Sequence, residues 1–455
     1  LWAPRAWIDG RWSDAVLLEV AADGTWARVT PEATRTAGMH VLDGPALPGV
    51  VNAHSHAFQR AFAGLAERRD AAHDDFWSWR DRMYRVALAI GAEQMEAVAT
   101  QLYVELLRGG YTHVCEFHYL HHEADGRRAG DEPAMAQALV RAATRAGIGL
   151  TLLPVLYERA GFTHAALRDD QRRFASTVDD VLRWRDAVRA QRSRRVDAGV
   201  AIHSLRAARP ESIADLVRRC EGDAGPVHVH VAEQTAEVDD CVAATGARPI
   251  EWLARHAALD ARWQLVHATH AMPSEIDAVA RSGAGIVICP STEANLGDGL
   301  CDLPGWLAAG VPMAIGSDSH VTRSVSEELR LLEYGQRLAL RRRNVASMPE
   351  RGLTSSAGRL FEAVLAGGGR AAGFARWALV AGAPADLLVV DGDDASLLGV
   401  PADRLIDAWV YSSPVRPLRD VMVGGRWVLR AHARTDATPI ATEFARAMAA
   451  LHGPS

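Results

Sequence analysis

Two histidines separated by one serine, His54 and His56, close the apolar run Pro48-Gly49-Val50-Val51-Asn52-Ala53. On an extended strand, residues i and i+2 project from the same face. The two imidazoles therefore converge on one point, as two ligands of a single metal ion must. A polar strand face also produces such pairs by chance, so the pair gains meaning only if later strands bring further donors. They do. His230, His267 and Asp318 stand at or just past the ends of later apolar runs, and Glu233 lies three residues beyond His230. Taken singly, each reads better as a satisfied or exposed polar residue, and Glu233 reads equally well as a surface glutamate. Burying a titratable group costs free energy, so their joint fall at matching strand ends points to a metal site. Three imidazoles and one carboxylate suit Zn²⁺ with one position left for water. Such an ion lowers the pKa of that water to about 7. Iron or manganese could take the same donors.

The elements that must position these residues alternate along the chain. Apolar runs suited to strands cover Gly49–His54, Thr112–His118, Gly149–Leu156, Gly199–His203, Val227–His230, Gln264–His267, Gly285–Cys289 and Val311–Ser317. Between them lie segments of 3.6-residue periodicity, among them Glu93–Leu107, Pro133–Ala146, Val178–Ala190, Glu211–Cys220, Pro249–His256 and Ser274–Arg281. Eight strands alternating with helices predict an α/β fold, a (β/α)₈ TIM-type barrel, whose catalytic groups sit at the C-terminal strand ends. An open doubly wound sheet is the alternative, but no G-x-G-x-x-G follows the first strand. Both chain ends read differently. Asp9-Gly10 and Asp23-Gly24 are hairpin turns among short strand-like runs, and Gly424-Gly425 plays the same part between Val421-Met422-Val423 and Trp427-Val428-Leu429. The expectation is a small β-sandwich built from residues 1–47 and 376–455 around a barrel of residues 48–375. A terminal helix is expected over Thr438–Leu451, with Thr438 as N-cap and Pro439 at the first position.

Composition excludes more than it assigns. A chain of 455 residues, 49% hydrophobic and 23% charged, is an ordinary globular protein of more than one structural unit. Its net charge of −6 and lack of a basic run argue against nucleic acid as partner, and no apolar stretch is long enough to span a membrane. Five scattered cysteines without a C-x-x-C pair fit reduced thiols and a cytoplasmic location. All 50 basic residues are arginine. Schiff-base lysine catalysis, a phosphate loop ending in Gly-Lys and a carboxylated-lysine metal bridge are therefore chemically closed to this chain.

The motifs His54-x-His56, His230-x-x-Glu233, His267 and Gly316-Ser317-Asp318 resemble those of the amidohydrolase superfamily, in its mononuclear, deaminase-like branch. More specific likenesses are Asn52-Ala53-His54-Ser55-His56-Ala57-Phe58-Gln59-Arg60, Phe76-Trp77-Ser78-Trp79-Arg80-Asp81, Glu116-Phe117-His118-Tyr119 and His203-Ser204-Leu205-Arg206. They cover nearly the whole chain and point within that branch to deimination of N-formimino-L-glutamate. The resemblance implies His54, His56, His230 and Asp318 as ligands of one Zn²⁺ per chain. It implies Glu233 as proton shuttle, His267 beside the reacting oxygen, and Asp318 as acceptor of the water proton. Gln59, Arg80, Tyr119, His203 and Arg206 are the implied contacts of a small substrate with two carboxylates, for which an arginine fork is suited; a homodimer is implied as well. From residue type alone, Arg206 reads as a solvated loop arginine, and Phe76, Trp77, Trp79 and Tyr84 as core or subunit contact, with a lid as the lesser reading. His73, His113, His118, His121, His122, His270 and His320 receive no role. Other readings stay open: a deaminase of an aminoheterocycle such as guanine or a triazine, or a non-catalytic scaffold on the same fold.

Overall fold

The computed structural model describes the chain except residues 69–75, 126, 129, 132, 192, 454 and 455 and the side chains of residues 76 and 77. His73, and the side chains of Phe76 and Trp77, thus lie outside the described residues. Among the described residues, sixteen strands fall into two sheets. The chain begins with β1 (Trp2–Ile8), β2 (Arg11–Val20), β3 (Trp26–Thr30) and β4 (Ala46–Pro48). The barrel strands follow: β5 (Val50–Ser55), β6 (Tyr111–His118), β7 (Gly149–Leu156), β8 (Val196–Ala198), β9 (Val200–Ile202), β10 (Val227–Val231), β11 (Trp263–His267), β12 (Gly285–Ile288) and β13 (Met313–Ile315). The chain ends with β14 (Leu387–Val390), β15 (Leu418–Val423) and β16 (Arg426–Leu429).

The barrel runs in the order β5-β6-β7-β9-β10-β11-β12-β13, all parallel, with the short β8 paired to β7 as an addition the periodicity does not reveal. β5, β6 and β7 are buried at every residue because helices cover the sheet outside and side chains fill it inside. The crossover helices lie within a residue or so of expectation, for example Ala92–Arg108, Ala134–Ala146, Pro210–Arg219 and Pro273–Ser282.

The seam between first and last barrel strands is closed by backbone of the site itself. Ser55 bridges Asp318, with Asp318 N–H donating to His54 O (3.0 Å) and His56 N–H to Asp318 O (3.2 Å). Asn52 locks the seam beneath, its Nδ2 donating to Ser317 Oγ at 2.7 Å and its Oδ1 accepting from Ser317 N at 2.9 Å. Gly316 is required by proximity: a Cβ there would stand 2.7 Å from His54 Cβ and 2.8 Å from His54 O.

The second sheet, β16-β15-β14-β4-β1-β2-β3, draws its strands from both chain ends. It curls until Thr25 bridges Pro384, enclosing a core of Leu18, Trp26, Leu387, Val389 and Met422 separate from that of the barrel. Asp9 and Gly10 both take positive φ (49° and 76°), the left-handed pair that a two-residue hairpin needs. The last helix spans Ala437–His452 with Asp436 rather than Thr438 at its N-cap, two residues earlier than expected. Pro439 is tolerated within the first turn because amides there have no helical acceptor. No helix among the described residues is long and apolar enough to cross a membrane.

Candidate metal centre and active-site cavity

The C-terminal strand ends bring the donors together. His54 and His56 leave β5, His230 stands in β10, His267 ends β11, and Asp318 follows β13; all are buried. His54 Nε2 lies 3.1 Å from His56 Nε2, 3.0 Å from His230 Nε2 and 3.4 Å from Asp318 Oδ1, while His56 Nε2 lies 3.3 Å from Asp318 Oδ1. A tetrahedral ion with bonds of about 2.0–2.1 Å holds its ligand atoms about 3.3–3.4 Å apart, close to these separations. Protonation suits the same use. Burial pushes His54 down to about 3 and lowers His56 and His230, so these imidazoles are neutral, the form that ligates metal. Burial alone would raise the Asp318 carboxyl, but His54, His56 and His267 outweigh it and hold it well below the usual carboxylate range. The donor set therefore fits a divalent cation such as Zn²⁺.

A supporting shell fixes these donors. His56 Nδ1 is 2.9 Å from Phe117 O, which leaves Nε2 bare for a metal. Buried Glu116 accepts from Ser55 Oγ and Ala57 N and so grips the turn that carries both β5 histidines. His320, given no role by the sequence, has Nδ1 2.9 Å from Ser317 Oγ and Nε2 3.1 Å from His56 O. His113, His118, His121, His122 and His270 join no candidate metal-binding cluster among the described residues. Ala232, His267, Ala268, Asp318 and His320 all take left-handed φ between 48° and 69° or, at Asp318, 46°. Non-glycine residues in that region cost about 1–3 kcal/mol each and gather where a site over-determines its backbone.

His267 and Glu233 flank the donors. His267 Nε2 lies 3.7 Å from Glu233 Oε1 and 3.8 Å from Asp318 Oδ2, and Nδ1 lies 3.3 Å from Glu293 Oε1. Burial alone would depress His267; Glu233, Glu293 and Asp318 overcome it and raise it to about 10. Burial raises Glu233 to about 7, with Asp318 and Glu237 adding to the effect and His267 and Arg206 opposing it. Glu293 was not apparent from the sequence, although it sits just past β12, where the strand-end rule applies.

Above the donors opens a small cavity of about 50 Å³. Gln59, Arg80, Tyr119, His203 and Arg206 all line it together with His56, His230, Glu233, His267 and Asp318. Arg206 is thus not the solvated loop arginine of the simpler reading; it is half-buried and faces the donors' cavity. Gln59 Nε2 donates to Tyr119 Oη at 3.1 Å. Trp79 and Tyr84 line the same space rather than serving only as core, because the helix Phe76–Ala89 lies across the barrel mouth. Tyr157, one residue past β7, also lines it and was missed.

A family model, "Amidohydrolase family", matches residues 46–428. The chain belongs to the amidohydrolase family. Among relatives of this amidohydrolase, formimidoylglutamate deiminase of Pseudomonas aeruginosa is 47% identical over 431 residues, 94% of each chain. A 5-methylthioadenosine/S-adenosylhomocysteine deaminase of Natronomonas pharaonis is 28% identical over 417 residues, 90% of this chain and 88% of that one. An amidohydrolase from Brucella melitensis superposes with a TM-score of 0.93 at 39% identity, covering 99% of both chains. An adenosine deaminase from Xanthomonas campestris, solved with bound zinc, shares the fold with a TM-score of 0.80 at 22% identity over 99% of this chain and 97% of that one.

Proposed function

We propose that this amidohydrolase is a hydrolytic deiminase that converts N-formimino-L-glutamate and water to N-formyl-L-glutamate and ammonia, a step of histidine degradation. One observation carries the reading: a single cavity has metal-type donors at its floor and the guanidinium groups of Arg80 and Arg206 in its wall. Such a space suits a molecule with a hydrolysable carbon at one end and carboxylates at the other. The 47% identical relative, a formimidoylglutamate deiminase by name, supports the same substrate.

His54, His56, His230 and Asp318 would hold one Zn²⁺ per chain. When bound, the ion supplies Lewis acidity that lowers the pKa of a water to about 7. Arg206 binds a substrate carboxylate through a charge-assisted fork, with Arg80, Gln59, Tyr119 and His203 adding hydrogen bonds that fix the rest of the molecule. Asp318, anionic in its histidine cage, takes the proton released as water adds to the formimino carbon. His267, held protonated by its three carboxylate neighbours, donates toward the oxygen on which negative charge grows. Glu233, titrating near neutrality, delivers a proton to the departing nitrogen, and ammonia leaves. A cytoplasmic setting for five free, buried cysteines and a homodimeric assembly belong to the same reading.

The direct test is ammonia release from N-formimino-L-glutamate by metal-replete protein. Turnover is expected; no ammonia at high enzyme concentration removes this substrate.

A further inference from the structure

Behind the cavity wall sits Gln171, fully buried in the short helical turn Asp169–Phe174 and not itself part of the lining. Its amide orientation is fixed by chemistry. Oε1 accepts from the backbone N–H of Arg168 at 3.1 Å, and only an oxygen can accept there. Nε2 must therefore face the other way, where it donates to Tyr84 Oη at 3.2 Å and Tyr157 Oη at 3.0 Å. Both hydrogens of one amide group are thus spent on two phenol oxygens. A phenol carries one hydrogen and accepts through the remaining lone pairs. With Gln171 on one side of each oxygen, the hydrogens turn away from it.

Both rings line the cavity and both are buried. Even if Tyr157 turns its hydrogen to the Tyr84 oxygen, Tyr84 then accepts from two donors, and its own hydrogen can only point onward into the cavity. The surroundings at that end supply donors. Arg80 Cζ lies 5.5 Å from the Tyr84 ring centre, and Arg206 lines the same space. Burial raises the Tyr157 phenol well above the usual tyrosine range, and Tyr84 adds to the rise against the opposing pull of Arg206, so the group stays protonated. Outward phenol hydrogens beside two guanidinium groups in one cavity wall offer a carboxylate neutral and charged donors together.

We propose that Gln171 is a positioning residue that sets Tyr84, with Tyr157 behind it, as hydrogen-bond donors to a carboxylate of the substrate. Selection for a dianionic over a neutral substrate would then depend on a residue that never touches it. The identity of that carboxylate rests on the deiminase reading; the existence of the donor pair does not.

Calorimetric titration with glutarate, an unreactive dicarboxylate, tests the pair without turnover. In metal-replete protein, Y84F and Y84F/Y157F are expected to weaken glutarate about tenfold or more, the scale of one lost hydrogen bond to a charged group. KM for N-formimino-L-glutamate should rise by a similar factor while kcat stays within about twofold. Q171M should reproduce the loss in the wild-type background and add nothing in the Y84F/Y157F background. Unchanged glutarate affinity in Y84F/Y157F, no glutarate binding by the wild type, or an equal loss from Q171M in both backgrounds each overturns the proposal. If the wild type releases no ammonia from formimino-glutamate, the deiminase reading fails, and the glutarate titration still decides the role of Gln171.

Discussion

Replacing Gly316 by alanine tests whether the seam of the barrel sets the metal centre. Its added Cβ would lie 2.7 Å from His54 Cβ, 2.8 Å from His54 O and 2.9 Å from His54 N, where 3.4 Å is the near edge of ordinary contact. The neighbouring strand must therefore give by about 0.5–0.7 Å, about three times the roughly 0.2 Å tolerance of a metal–ligand distance. Backbone cannot swing aside as a flexible side chain can, so His54 moves relative to Asp318. Overpacking of this kind costs about 1–3 kcal/mol in stability. Displaced ligand support of comparable severity lowers metal affinity about 10–100-fold. The assay is metal content by elemental analysis after dialysis against a zinc buffer near the wild-type Kd, alongside thermal unfolding. G316A is expected to stay folded, melt lower and retain a small fraction of the wild-type metal. Wild-type zinc retention in a folded G316A protein would refute the claim that contact between the first and last strands sets the ligand geometry.

Glu233→Gln keeps the shape and removes the transferable proton; turnover should fall about 10²–10⁴-fold with metal content unchanged, and near-normal turnover refutes the assignment. Arg206→Ala should raise KM for N-formimino-L-glutamate at least about tenfold, as loss of a charge-assisted bond requires; an unchanged KM would instead favour a substrate without carboxylates. Stability should also report on Glu328, outside the cavity lining, whose carboxylate accepts from Ser291 N at 2.9 Å and from Ser291 Oγ at 2.6 Å. Burial raises its pKa to about 8, above the unfolded value, so the folded state binds more protons and stability falls as pH rises from about 4.5 to 8. E328Q, which cannot ionise, should flatten the melting-temperature profile across that window; parallel profiles for the two proteins would count against it.

Much of the site could be read from residue types because its logic is local. Period-two projection puts His54 and His56 on one face, and a strand-end rule picks out His230, His267 and Asp318 without reference to one another. The helices follow from periodicity for the same reason. What escaped depends on partners distant in sequence. Glu293 matters because Nδ1 of His267 approaches it, and Glu116 because it grips Ser55 and Ala57 some sixty residues away. Tyr84 looks like a core aromatic by spacing; only the placement of its helix across the barrel mouth turns it to the cavity. Three residues of β8 are too few to carry a pattern. His320 is the instructive case: given no role by the sequence, it uses its two nitrogens to hold Ser317 and His56 O.

The rung between Ser55 and Asp318 joins two points more than 260 positions apart along the chain. During synthesis the earliest donors, His54 and His56, leave the ribosome long before their carboxylate partner exists. They can offer an ion only a partial grip until nearly the whole barrel has been made. Loading is therefore a late event, and an ion that seats itself acts as a clasp on a finished ring. A chain truncated before residue 318 should hold zinc far more weakly however well its remaining strands pair.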